Sequence, residues 1–258
     1  MAIQPAQRLD LVQEYYFSRK LKEVAKLNAE GKDIVSLAIG SPDMPPSPRT
    51  IDTLCKVAKS STAHGYQPTM GTSELRTAMA EFYKRWYDVD LNPQTEVLPL
   101  IGSKEGILHV TLAFVNPGEE VLVPNPGYPT YTSLSKILGA KVVNYDLDEK
   151  RDWQPDFEAL EKMDLSRVKL MWTNYPNMPT GARAQRETYE KLVAFAQKHN
   201  IVVVNDNPYS FILNRERLSL LQVPGAKECC IEFNSMSKSH NMPGWRVGMC
   251  IANPQIIS

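Results

Sequence analysis

Short apolar stretches alternate along this chain with longer ones in which apolar positions return every three or four residues. "EVLPLI" (96–101), "EVLVP" (120–124) and the stretches 141–145, 168–173, 201–205 and 230–234 have the length and Val/Ile/Leu bias of buried strands, and "IVSLAI" (34–39) reads the same way. Between Ser73 and Trp86, Leu75, Met79, Phe82 and Trp86 recur at helical spacing, with Ser73 as the N-cap. Further helices are expected to open at Gly102-Ser103 and to cover 128–138, 155–163 and 186–199, while "GSPDMPPSP" reads as a turn. "VGMCIANPQIIS" reads as a strand followed by a helix with Asn253 as N-cap and Pro254 at its first position. Alternation of this kind predicts a three-layer αβα architecture, a mainly parallel sheet with helices on both faces. The chain stops within the next turn, so a C-terminal part is expected to be missing.

Composition narrows the classes. The 258 residues are 43% hydrophobic, enough for a real core and, at roughly 150 residues per domain, one large domain or two unequal ones. Formal net charge is zero and Lys and Arg form no long run, which argues against nucleic acid or an anionic membrane as partner. No apolar run approaches the roughly 18 residues of a membrane span, and "MAIQPAQRLD" has no signal-peptide core. Cys55, Cys229, Cys230 and Cys250 lack zinc spacing, and the adjacent pair is poorly placed for a disulfide; a reducing cytoplasm fits best.

In open α/β sheets, ligands sit outside the carboxyl ends of the strands. Ser103-Lys104, Tyr128, Asp206 with Tyr209, and the segment Ser235–Arg246 all fall at such ends. Ser103, opening a helix, offers a hydroxyl and backbone N–H groups to a phosphate. Ser235 and Arg246 could grip the same phosphate, the arginine through a two-pronged charge-assisted bond. Asp206 follows four apolar residues and is expected to be partly buried and to need a cationic partner. Desolvation and neighbouring cations would make Lys238 a nucleophile. Each residue alone has a plainer reading, as a helix cap, a surface arginine, a structural ion pair or a solvated lysine. Their combination at strand ends points instead to an anion held beside one lysine. His64, His109, His199 and His240 share no metal-ligand spacing, so no metal site is expected; His240 stands apart only in lying two residues from Lys238. Tyr15-Tyr16-Phe17 either packs an N-terminal helix or lines a substrate entrance.

"SMSKSHNMPGWRVG" resembles the S-x-S-K-x-x-x-x-x-G-x-R-x-G signature of the class I/II, fold type I pyridoxal-phosphate (PLP) enzymes related to aspartate aminotransferase, matching at Ser235, Ser237, Lys238, Gly244, Arg246 and Gly248. "YPNMPTG" (175–181), "DNPY" (206–209), "GYQPTMGTSELR" (65–76), "GSPD" (40–43), "GSKEG" (102–106) and "PNPGYPTY" (124–131) are similar to further family segments and come in the family's order. The resemblance implies a Schiff base between Lys238 and the PLP aldehyde, Asp206 on the pyridine nitrogen and Tyr209 on the 3-oxygen. It further implies Tyr128 on the ring face, and Ser103, Lys104, Ser235 and Arg246 around the phosphate. Tyr66 would reach the phosphate of a neighbouring subunit in a homodimer with shared sites, and Gly40, with Tyr16 as a further candidate, would meet the substrate. One family position departs: the asparagine that contacts the 3-oxygen aligns with Met178, a weak acceptor that cannot donate, and Asn177 is the nearest stand-in. Residues 1–46 would contribute to a small domain and 47–258 form the PLP-binding domain, the C-terminal small domain being absent. The implied activity is transfer of an amino group between an L-amino acid and a 2-oxo acid by a ping-pong route. A β-lyase or decarboxylase on the same scaffold, an inactive fragment, or a PLP-sensing module are the alternatives.

Overall fold

The computed structural model describes residues 3–11, 16–37 and 39–258. Its strands are β1 (Val97–Leu100), β2 (Glu120–Asn125), β3 (Lys141–Asp146), β4 (Val168–Thr173), β5 (Val202–Asp206), β6 (Cys230–Ser235) and β7 (Gly248–Ile251). They form one sheet in the order β1-β7-β6-β5-β4-β2-β3. Neighbours from β3 across to β6 are parallel, and β7 runs antiparallel to both β6 and β1. Every strand but β7 therefore points the same way, and Leu100, Asn125, Asp146, Thr173, Asp206 and Ser235 end along one edge.

The helices are α1 (Tyr16–Ala29), α2 (Pro48–Ala58), α3 (Ser73–Tyr87), α4 (Ser103–Phe114), α5 (Pro129–Ile137) and α7 (Arg186–His199). Single turns α6 (Phe157–Leu160), α8 (Ala226–Cys229), α9 (Met236–Ser239) and α10 (Pro254–Ile257) complete them. The period of two along each strand sends alternate residues to opposite faces, and both faces are covered. Met171, Val203 and Cys230 join Tyr83 of α3 and Leu192 of α7 in one core, while Trp172, Val204 and Ile231 join Ile107 of α4 and Tyr131 of α5 in the other. The expected αβα sandwich is thus the observed one. No helix among the described residues is long and apolar enough to cross a membrane.

Several expectations need correction. The stretch 34–39 forms no strand among its described residues (Ala38 lies outside them); Val35 is 82% and Leu37 92% exposed. A strand exists only beside a partner, and β1 is paired to β7 alone; Ile34 is instead tied to Asn28 at the end of α1 through N–H to Oδ1 at 2.5 Å. The N-cap of α3 is Thr72, whose hydroxyl accepts from the Leu75 N–H at 3.2 Å, rather than Ser73. The helix expected over 155–163 closes after one turn, because Lys162 and Met163 bond back three residues, to Ala159 and Leu160, in tight turns. Within the proline-rich stretch read as a turn, Ser47 caps α2 and Pro48 occupies its first position, where no N–H is needed.

Glu232 is wholly buried in β6 and is met by neutral donors. Oε1 accepts from Tyr83 at 3.1 Å and Ser219 at 2.7 Å; Oε2 accepts from the Leu220 N–H at 2.8 Å and Asn205 at 3.1 Å. One carboxyl thereby ties α3, β5 and the turn at Leu220–Gln222 together, and burial pushes its pKa up. Its contribution to stability is fullest below the ordinary carboxylate range and is lost as pH rises through the raised pKa. Glu232→Gln keeps an acceptor for Leu220 and Asn205 while the two hydroxyls rotate to accept, so it should cost under about 1 kcal/mol and remove that pH dependence. Glu232→Leu strands the donors and should cost about 3 kcal/mol in urea denaturation at neutral pH. Equal losses for the two variants would contradict this account.

Candidate active site

At the carboxyl edge of the sheet, β1 runs into α4 through Gly102, which has φ 88°. A Cβ on Gly102 would strike the Arg246 guanidinium, and one on Gly248 would lie 3.0 Å from Gly102 Cα and Ser103 N. These two glycines let Arg246 and the N-terminus of α4 approach one another. Arg246 donates to Pro243 O at 2.7 Å, Ile101 O at 3.3 Å and Ser237 Oγ at 3.5 Å. The positive dipole end of a 12-residue helix beside a guanidinium forms an anion cradle. Ser235, assigned to the phosphate from sequence, is 2% exposed: its hydroxyl accepts from the Ser237 N–H at 3.2 Å and donates to Val247 O at 3.4 Å, capping α9. The hydroxyl that meets Arg246 is that of Ser237.

Lys238 follows on α9, and its Nζ donates to Gly40 O at 2.7 Å. Burial lowers its pKa; neighbouring cations, also expected, take no part. Asn241 reaches Pro45 O at 3.5 Å, so the segment carrying Gly40 lies against the lysine loop.

Asp206 ends β5 and is 3% exposed. Its Oδ2 accepts from the Tyr131 hydroxyl at 3.1 Å; Oδ1 is buried without a partner. Burial raises its pKa to about 7, against smaller downward effects of the Tyr131 and Ser103 hydroxyls. The cationic partner expected from sequence is supplied by no described side chain. Tyr128, the N-cap residue of α5, is half-buried, stands edge-on to Tyr131 at 5.5 Å and has Lys104 Nζ 5.8 Å from its ring centroid. Tyr209 lies three residues past Asp206 in the loop after β5, its carbonyl accepting from Ile212 and Asn214.

Other candidates lie elsewhere. Asn177 Oδ1 accepts from Thr180 N–H and Oγ1, leaving its buried Nδ2 unpartnered, and Met178 N–H donates to Asn174 Oδ1 at 2.7 Å. Tyr66 is 98% exposed; Tyr16, on α1, packs edge-on against Phe17 and is exposed, and Tyr15 falls outside the described residues. His240 sits among Phe82 and Phe211. Sequence reasoning passed over Tyr131 and Asn174, whose Nδ2 donates to Asp206 O at 2.6 Å. Both carried a signal: Tyr131 is one helical turn from Tyr128, and Asn174 is the first residue past β4 at the ligand edge.

Residues 32–258 match the profile of the family described as aminotransferase class I and II. The chain belongs to that family. The LL-diaminopimelate aminotransferase of Dehalococcoides mccartyi strain BAV1 is 44% identical over 254 residues, covering 98% of this chain and 66% of the relative. That of Aquifex aeolicus is 40% identical over 253 residues, covering 97% and 65%. Among solved structures, substrate-bound BacF from Bacillus subtilis superposes with a TM-score of 0.91 at 38% identity, over 100% of this chain and 65% of that one. Aspartate aminotransferase from Thermus thermophilus with maleate gives 0.91 at 27% identity, over 99% and 66%. The chain thus spans about two thirds of the length of these relatives.

Class I and II aminotransferases use PLP, and the residues present fit it. A buried carboxylate with an unpartnered oxygen suits a protonated ring nitrogen, the α4–Arg246 cradle suits a phosphate, and Lys238 is the amine beside them. In the cofactor-free chain the burial of Asp206 begins to cost stability near pH 4, where an unfolded aspartate ionises, and that cost is complete once pH exceeds about 7. Without PLP, Asp206→Asn should therefore stabilise the chain at about pH 8, by up to about 4 kcal/mol, with the gain vanishing towards pH 4. Thermal melts across that range test this, and a gain of constant size would contradict it.

Proposed function

We propose that this chain is the cofactor-holding part of an aminotransferase moving an amino group between an L-amino acid and a 2-oxo acid in two half-reactions. The observation carrying the proposal is the convergence, on one sheet edge, of a partly desolvated Lys238, the free oxygen of Asp206 and the α4–Arg246 cradle. Relatives at 40–44% identity named LL-diaminopimelate aminotransferase make LL-diaminopimelate the amino donor to test first.

Bound PLP supplies an electron sink for the bond broken at the substrate's Cα. Lys238 Nζ would anchor the cofactor and, when free, would serve as the base that takes the proton from the substrate's Cα. Its lowered pKa favours the uncharged, proton-accepting form. Asp206 keeps the ring nitrogen protonated through Oδ1. Ser103, the Lys104 backbone, Ser235 and Arg246 would hold the phosphate, with Ser237 meeting Arg246 from the same loop. Tyr128 covers one ring face. Tyr209 would meet the 3-oxygen; Met178 offers only a thioether, and Asn177, whose Oδ1 accepts from Thr180, keeps an unpartnered Nδ2 as the nearest stand-in donor.

Gly40, beside Lys238, lies where the substrate carboxylate would come, and Tyr16 is the weaker substrate candidate. The near-complete exposure of Tyr66 suits a side chain reaching a second copy in a homodimer with shared sites. Residues 1–46 are assigned to a small domain, in keeping with an α1 that buries none of its residues. Four cysteines without disulfides suit the cytoplasm.

Mixed with PLP, the chain should gain a visible absorbance band that borohydride fixes onto Lys238 by peptide mapping. LL-diaminopimelate should convert that band to pyridoxamine phosphate, and Lys238→Ala should slow the conversion by about a thousandfold or more. Label scattered over other lysines would refute the cofactor site. Release of pyruvate and ammonia from an amino acid would identify a lyase instead.

A further inference from the structure

Tyr131 closes the segment "PNPGYPTY" and touches two of the side chains assigned to the cofactor ring, Asp206 and Tyr128. Its hydroxyl donates to Asp206 Oδ2 at 3.1 Å, and its ring meets Tyr128 edge-on at 5.5 Å and 86°. We infer that Tyr131 is a positioning residue: its hydroxyl fixes one oxygen of Asp206 so that the other is presented, unpartnered, to the ring nitrogen of PLP. The inference rests on the cofactor reading given above.

The two oxygens of a carboxylate are equivalent, and torsion about its terminal bond is soft. A donor held rigidly on one oxygen breaks that equivalence. Tyr131 can be that donor because it cannot move aside: it is fully buried and its ring stacks on Trp172 of β4 at 4.9 Å with planes 4° apart. Trp172 is also fully buried, its ring 5.9 Å from Phe233 of β6. The chemistry of the donor matters as much as its place. A lysine or arginine here would neutralise Asp206 and remove its attraction for a protonated ring nitrogen. A phenol bonds to one oxygen and leaves the charge standing. Burial and the neighbouring Asp206 hold the Tyr131 pKa well above its usual value, so it remains an O–H donor. The other groups meeting Asp206 are also neutral: the Ser103 hydroxyl from α4 and the Asn174 amide, which bonds its backbone carbonyl. If Tyr131 merely filled the core, nothing would require Oδ1 to stay bare.

Tyr131→Phe removes the hydroxyl and keeps the ring, its stack on Trp172 and its contact with Tyr128. The readout is the PLP dissociation constant of the 258-residue chain, by absorbance titration, for the unsubstituted form, Tyr131→Phe, Asp206→Asn and the double variant, each checked for folding by circular dichroism. Loss of one hydrogen bond to a charged group should weaken PLP binding about tenfold in Tyr131→Phe. In the Asp206→Asn background the same change should alter binding less than about twofold, since Tyr131 acts through Asp206. Carboxyl-selective NMR of the cofactor-free chain should show Asp206 titrating at higher pH in Tyr131→Phe. Unchanged affinity, or an equal loss in both backgrounds, would overturn the inference alone. Failure of the unsubstituted chain to bind PLP would overturn the cofactor reading and the inference with it. Should Tyr131→Phe not fold, Tyr131→Met in the same cycle measures the same coupling.

Discussion

A carboxylate buried with no cation beside it is the constraint on which the site depends. Asp206 ends β5 inside the sheet, where ionisation is costly, and the chain meets it with hydroxyls alone. This is a poor arrangement for stability and a good one for binding a protonated ring nitrogen. The residues that make it costly, Val204, Trp172 and Tyr131 on the α4–α5 face, also make the attraction strong once a cation arrives, because the medium is dry.

Sheet topology explains why the other groups gather there. β6 ends at Ser235, the chain passes through α9 with Lys238, turns at Pro243–Trp245 and returns as β7 antiparallel to β6. Because β7 is inserted between β6 and β1, the exposed Arg246 emerges against the end of β1 and the opening of α4. Gly102 and Gly248 are the two positions where that approach would otherwise fail, each lacking the Cβ that would collide. Lysine and phosphate cradle are thus delivered by one strand–loop–strand unit.

The strands were legible because a sheet covered on both faces demands continuous apolar runs, and 97–100, 120–125, 168–173 and 230–235 supply them. The stretch 34–39 has the same composition but no neighbouring strand, and periodicity cannot report a missing partner. The lysine loop was legible because Ser235, Ser237, Lys238 and Arg246 are adjacent in sequence. The capping of α9 by Ser235 and the contact of Ser237 with Arg246 were not, since they depend on which hydroxyl the N-terminus of α9 claims. Tyr131 was half legible: its place one turn past Tyr128 was a signal, its partners were not. Its meaning lies in a stack with Trp172 and a bond to Asp206, contacts across 41 and 75 residues of sequence, with only the first of them apolar.

The two sides of the site are held by different kinds of force. The cofactor side is set by a packed sheet whose rings and strand ends cannot shift singly. The Gly40 side reaches the lysine loop through hydrogen bonds, Lys238 to Gly40 O and Asn241 to Pro45 O, and its flanking stretch is exposed at Val35, Leu37 and Met44. Those few bonds leave the Gly40 side freer to reposition than the sheet that holds Asp206 and Arg246. A stiff wall for the cofactor and a loosely tethered one for the substrate follow from where the chain spends its apolar residues.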